Sequence, residues 1–124
     1  MSHRYFFDHN LSYRIADALR ALGVDAHGLS QEMPAETPDE KWLELVGGRV
    51  VVTCDLNIRK KDVFRRMMHV KARTVIFLGK SWARASIQEI AWRVVRYWWA
   101  VDKEVATGQA YELHFGGKIE RLSL

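Results

Sequence analysis

Apolar residues along this chain fall into two alternating rhythms. Tyr5-Phe6-Phe7, Val50-Val51-Val52-Thr53 and Thr74 to Leu78 are short aromatic or β-branched runs without charged interruptions. That pattern predicts strands buried on both faces of a parallel sheet. Between the first two, Leu11, Ile15, Ala18, Leu19 and Leu22 recur at helical spacing, with Asn10 or Ser12 placed to cap the helix and Gly23 to close it. Val24 to Leu29 reads as a further, weaker strand, and Ser30 to Thr37 as a polar loop. Thr37-Pro38-Asp39-Glu40 predicts a helix start, with proline at the first helical position and Thr37 and Glu40 at the spacing of a capping box. That helix runs through Trp42, Leu43, Leu45 and Val46 to Gly47-Gly48. A basic helical segment follows Asp55. Ser86 opens the longest helix, whose apolar stripe is Ile87, Ile90, Ala91, Val94, Trp98, Val101 and Val105.

The tail changes rhythm. Tyr111, Leu113 and Phe115 alternate with polar residues, Gly116-Gly117 supplies a tight turn, and Lys118 to Leu122 returns, predicting a hairpin or a bent edge pair. The fold class that follows is α/β, a three-layer sandwich with a mainly parallel central sheet and a C-terminal β-hairpin.

Composition narrows the class. A length of 124 residues suits one domain spanning 1–124, and 48% hydrophobic with 27% charged residues is too apolar for disorder. No apolar run approaches the length that spans a bilayer. The N-terminus leads straight into a strand, unlike a signal peptide, so a cytoplasmic protein without membrane association is expected. A single cysteine, Cys54, excludes an internal disulfide and a Cys-based zinc cluster. The net charge of +4 conceals an asymmetry: residues 1–57 carry nine acids against five bases, and residues 58–124 carry six against fourteen. Arg59, Lys60, Lys61, Arg65, Arg66, Lys71 and Arg73 crowd into 58–73 with Asp62 as their sole acid. Such a block serves either as a solvated helix face or as an electrostatic footprint for phosphates. Charge alone does not choose.

The position of the acids carries more chemistry. Asp8 ends the first strand, Asp55 ends the third, and Asp39 opens a helix. In an open parallel α/β sheet, carboxyl strand ends and helix N-termini line one crevice, where ligands bind. Carboxylates that converge there repel and need a cation to stay ionised. Mg²⁺ or Mn²⁺ suits an oxygen-only set that leaves room for water. Asn10 and Asn57, each two residues past an acid, are placed to orient a water or a ligating carboxylate. Taken singly, each strand-end Asp also suits a turn. Glu40 has a structural partner in Thr37, which leaves Asp39 as the free carboxylate of that pair.

Read in order, Phe6-Phe7-Asp8-His9-Asn10-Leu11-Ser12, Pro38-Asp39-Glu40-Lys41-Trp42-Leu43 and Val51-Val52-Thr53-Cys54-Asp55-Leu56-Asn57-Ile58-Arg59 resemble the acidic motifs of PIN-like domains. Val75-Ile76-Phe77-Leu78 and the long helix fit the VapC toxin branch of that family, and the similarity covers roughly the first 100 residues. The resemblance implies an endoribonuclease dependent on Mg²⁺ or Mn²⁺. Asp8, Asp39 and Asp55 would be its metal ligands or position the attacking water, and Arg59, Lys60 and Lys61 would hold RNA phosphates, with Arg65 and Arg66 extending the basic footprint. It also implies a cognate antitoxin as partner, with a homodimer as a further expectation. One departure stands: fuller PIN sites present four acids, and three stand out here.

Trp92, Arg93, Arg96 and Trp99 form a second face of the long helix. Core packing or a subunit interface is expected, because a helix apolar on most sides is usually buried; base stacking and antitoxin docking are the other readings. His9, His27, His69 and His114 show no metal-ligand spacing, and Cys54 reads as a small buried filler. Two rivals come from other classes. A nucleic-acid-binding module without catalysis would keep the basic segment and use the acids as turn residues. A signalling receiver domain shares the length and the acids ending strands one and three. Asp8 lacks the adjacent second acid of a receiver, however, and a hairpin follows the long helix.

Overall fold

The computed structural model describes residues 3–8, 11–34, 36–54 and 73–123, without the side chains of Asp39, Glu40 and Leu43. The elements are β1 (Arg4–Phe7), α1 (Tyr13–Ala21), β2 (Asp25–Gly28), α2 (Leu29–Glu32), α3 (Asp39–Leu45), β3 (Val50–Thr53), β4 (Val75–Leu78), α4 (Lys80–Ala83), α5 (Ile87–Glu104), β5 (Ala110–Leu113) and β6 (Ile119–Leu122). The six strands form one sheet in the order β2-β1-β3-β4-β5-β6. Every pairing is parallel except β5 with β6.

Side chains leave alternate faces of a strand, so the uninterrupted apolar runs feed two cores at once. Tyr5, Phe7, Val50, Val52, Ile76 and Leu78 join the core under α1 and α5. Phe6, Val51, Val75 and Phe77 join Leu29 of α2 and Trp42 and Val46 on the other face. This is the expected three-layer α/β sandwich. Ser12 caps α1 by accepting the Arg14 N–H at 3.3 Å, and Gly23 follows the helix with φ +95°. Ser86 caps α5 by accepting the Glu89 N–H at 3.2 Å. The predicted stripe of α5 packs against the sheet, with Val94, Trp98 and Val101 buried.

Two local expectations are corrected. The stretch after β2 is not all loop, because Leu29–Glu32 forms one helical turn whose Leu29 is buried in the second core. The capping box at α3 does not form: Pro38 is the N-cap, and no side chain caps the helix. Thr37 instead turns backward, its hydroxyl donating to the Pro34 carbonyl at 2.6 Å and its N–H to the same oxygen at 3.0 Å. The tail forms the expected C-terminal hairpin of β5 and β6, and β5 also pairs in parallel with β4 along its whole length. The basic segment expected after Asp55 falls on residues outside the description.

The hairpin turn is fastened to α5. Gly117 has φ +101°, and a Cβ there would meet the Tyr97 ring at 2.8–3.1 Å. Both the backbone conformation and the contact oppose a side chain. Gly117→Ala is expected to lower stability by about 1–3 kcal/mol, read from urea midpoints; an unchanged midpoint would mean that the turn does not bear on Tyr97.

At the amino edge of the sheet, Tyr5 donates its hydroxyl to the buried Asp102 carboxylate at 2.5 Å, and the His3 N–H donates to the same oxygen at 3.3 Å. Burial, then this hydrogen bond and the charge of Asp102, push the Tyr5 phenol well above its ordinary value. The pair joins the start of β1 to the end of α5, at the opposite end of β1 from Asp8. No described helix is long and apolar enough to cross a membrane.

Candidate functional site

The strand order reverses direction between β1 and β3: β2 lies to one side of β1, and β3, β4 and β5 extend to the other. Such a switch point leaves a crevice outside the carboxyl strand ends because the connecting segments depart to opposite faces. Asp8 stands there, immediately after β1. It is 2% exposed, its N–H donates to the Val52 carbonyl at 2.9 Å, and its carboxylate accepts the Thr53 hydroxyl at 2.8 Å. Thr53 ends β3 and is itself fully buried. The hydrogen bond therefore crosses the switch point and fixes the carboxylate against the strand that leads to Asp55.

Beside this pair, Cys54 is half-buried, and burial, helped by the negative charge of Asp8, pushes its thiol up to about 12. It thus stays protonated at neutral pH. In the native chain, iodoacetamide at pH 8 is expected to label Cys54 on the order of 100-fold more slowly than in the unfolded chain. Mass spectrometry would follow the reaction. Equal rates would place the thiol in an exposed or electropositive setting.

A cavity of about 210 Å³ opens next to Cys54, between Leu11 and Ser12 ahead of α1, Trp82 of α4, and Ile87 and Ile90 of α5. The first turn of the long helix thus borders the carboxyl end of the sheet. Asp39 opens α3, and its backbone enters the helix as the sequence predicts, while its side chain and that of Glu40 are not described. Asn10, Asp55, Asn57, Arg59, Lys60, Lys61, Arg65 and Arg66 lie outside the described residues. Among the described residues, no three His, Cys, Asp or Glu side chains come together as a metal-binding group.

Two features escaped the sequence reading. Thr53 was placed in a motif, but its hydroxyl bond to Asp8 depends on strand pairing. Glu112 reaches the carboxyl edge through the parallel pairing of β5, where its carboxylate lies 3.3 Å from where a Gly79 Cβ would stand and 3.5 Å from His114 Nδ1. Three strand spacings separate β5 from β1, about 14 Å between backbones. Glu112 is therefore too far along the sheet to share one ion with Asp8. His27 lies at the other edge, 3.0 Å from Asp25, and His114 also meets Glu120 at 2.9 Å. Trp92 and Trp99, expected inside a core or interface, are 47% and 45% exposed, because α5 buries only the side turned to the sheet.

Fold and crevice define an α/β domain with a buried carboxylate at its switch point, an arrangement that receiver domains share. The comparison of sequences decides the family. A model of the PIN-like domain family matches residues 3–80, and the chain belongs to that family, whose members are commonly nucleases. No curated protein and no solved structure matched the chain.

Proposed function

We propose that this chain is a metal-dependent endoribonuclease that hydrolyses RNA phosphodiester bonds, the toxin component of a toxin–antitoxin pair acting in the cytoplasm. The observation that carries the reading is the buried Asp8 carboxylate, held by Thr53 at the β1/β3 switch point of a PIN-like domain. Asp8 follows β1 there, Asp55 comes two residues after Thr53 in the sequence, and α3 opens with a third acid, Asp39.

The donor chemistry fits a hard divalent cation. Asp8 offers carboxylate oxygens, the hard donors such an ion prefers. Asp8, Asp39 and Asp55 would hold the ion. Bound Mg²⁺ or Mn²⁺ supplies an activated water and neutralises charge that develops on the phosphodiester. Thr53 keeps one Asp8 oxygen in place. Asn10 and Asn57 would orient the water or a ligating carboxylate, with Glu40 in a supporting role, and Arg59, Lys60, Lys61, Arg65 and Arg66 would receive the RNA phosphates. A cognate antitoxin and a second copy of the chain are the protein partners this reading expects.

The test is cleavage of a mixed structured RNA pool with Mg²⁺ or Mn²⁺, wild type beside Asp8→Asn and Asp55→Asn. Metal-dependent cutting that both substitutions abolish is the expected result. Binding without cutting under either metal would instead make the chain a non-catalytic nucleic-acid-binding module.

A further inference from the structure

Positions 88, 92, 96, 99 and 103 of α5 are spaced by three or four residues and so form one stripe along the helix. All five, Gln88, Trp92, Arg96, Trp99 and Lys103, are exposed, and none is acidic. The two indoles stand two helical turns apart, about 10.5 Å along the axis, with Arg96 about one turn from each. Arg93 fixes the margin of the stripe. Its Nη1 donates to the Phe115 carbonyl at 2.8 Å, and its guanidinium lies 3.7 Å from the Phe115 ring centroid and 4.6 Å from that of Trp92. The guanidinium, ion-paired with the Glu89 carboxylate at 3.5 Å, is thereby held beside an exposed indole. At its amino end the same helix places Ile87 and Ile90 around the cavity that adjoins Cys54, next to Asp8.

Flat aromatic faces alternating with cations match the needs of one ligand class. Unpaired bases stack on the rings, and the phosphates between them meet the cations. Duplex RNA hides its base faces and gains nothing from the indoles. A second copy of the chain fits poorly, because an antiparallel two-fold contact centred on this stripe would bring Arg96 against its own counterpart. We propose that the Trp92–Arg96–Trp99 stripe of α5 is a track for single-stranded RNA leading to the crevice at Asp8. The direction of the track rests on the nuclease reading above, whereas binding along it does not.

The test measures binding and cutting separately. A fluorescein-labelled single-stranded RNA of about 16 nucleotides is titrated in EDTA into wild type, Arg96→Glu and the double variant Trp92→Ala/Trp99→Ala. Circular dichroism checks each fold, and both tryptophans are half outside the core. Wild type is expected to bind with an affinity that falls as salt rises. The double variant and Arg96→Glu are each expected to bind at least about 10-fold more weakly. Wild-type affinity in both would overturn the track, as would failure of wild type to bind. So would a wild-type dimer, seen by sedimentation, that the double variant dissolves, since the stripe would then serve self-association. Cleavage with Mg²⁺ or Mn²⁺ is scored on its own. Weakened binding in the stripe variants without cutting by any protein upholds the track and removes the nuclease, while cutting with unaltered binding does the reverse.

Discussion

Asp8→Asn is expected to cut metal-dependent RNA cleavage on the order of 1,000-fold while the protein stays folded. A metal ion at such a site contributes several kcal/mol of transition-state charge stabilisation, and each 1.36 kcal/mol is tenfold in rate. Asparagine keeps the shape of aspartate and an oxygen able to accept the Thr53 hydroxyl, so the 2.8 Å bond across the switch point survives. The negative charge is lost. Stability is expected to stay within about 1 kcal/mol of wild type, because the buried acceptor remains satisfied. Urea denaturation and single-turnover cleavage, run on the same preparations, check both halves. Cleavage at the wild-type rate by a well-folded Asp8→Asn protein would remove Asp8 from the chemistry and leave it a turn residue bonded to Thr53.

The largest loss of stability is expected from Trp98→Ala. Trp98 is fully buried, its ring edge-on to Tyr5 at 5.1 Å between centroids and tilted against Phe7 at 5.5 Å. It is where α5 grips β1, the strand that delivers Asp8. Truncating a buried tryptophan costs about 3–5 kcal/mol, a large share of the 5–15 kcal/mol of a typical domain. A second substitution makes the expectation sharper. The indole Nε1 is buried without a hydrogen-bond partner among the described residues, and an orphaned donor of that kind costs about 1–3 kcal/mol. Trp98→Phe removes the orphan along with part of the ring, so it is expected to retain most of the stability that alanine loses. Denaturant midpoints for the pair check this. Equal losses in both variants would show that the indole N–H, and not ring volume, carries the stability, so that it is satisfied after all.

These two residues were legible in the sequence to different degrees. Trp98 falls on the predicted stripe of α5, and period alone assigns it to the core. Asp8 was identified because a buried apolar run stops there. Glu112, three strands away along the same edge of the sheet, was not, since alternation in the tail describes a strand without saying which strand it joins. The capping box at Thr37 failed for a similar reason: the spacing was right, but Thr37 found a nearer acceptor in the Pro34 carbonyl. Trp92 and Trp99 carry the same apolar signal as Trp98, and residue type gave no way to know that no described element covers their side of α5.

Local chemistry is written one residue at a time, and so the chain by itself determined the rhythm of its strands and helices, the caps at Ser12 and Ser86, and the acids at Asp8, Asp39 and Asp55. Together with the motif order, that suffices for an α/β sheet of PIN-like kind. The rest depends on contacts between residues far apart in sequence, whose free energies are set by which surfaces meet. Tertiary structure alone decided that β5 continues the parallel sheet, that Thr53 holds Asp8 across the switch point, and that Tyr5 meets Asp102. It also decided which tryptophans face water, because a helix has more apolar surface here than the sheet has room to bury.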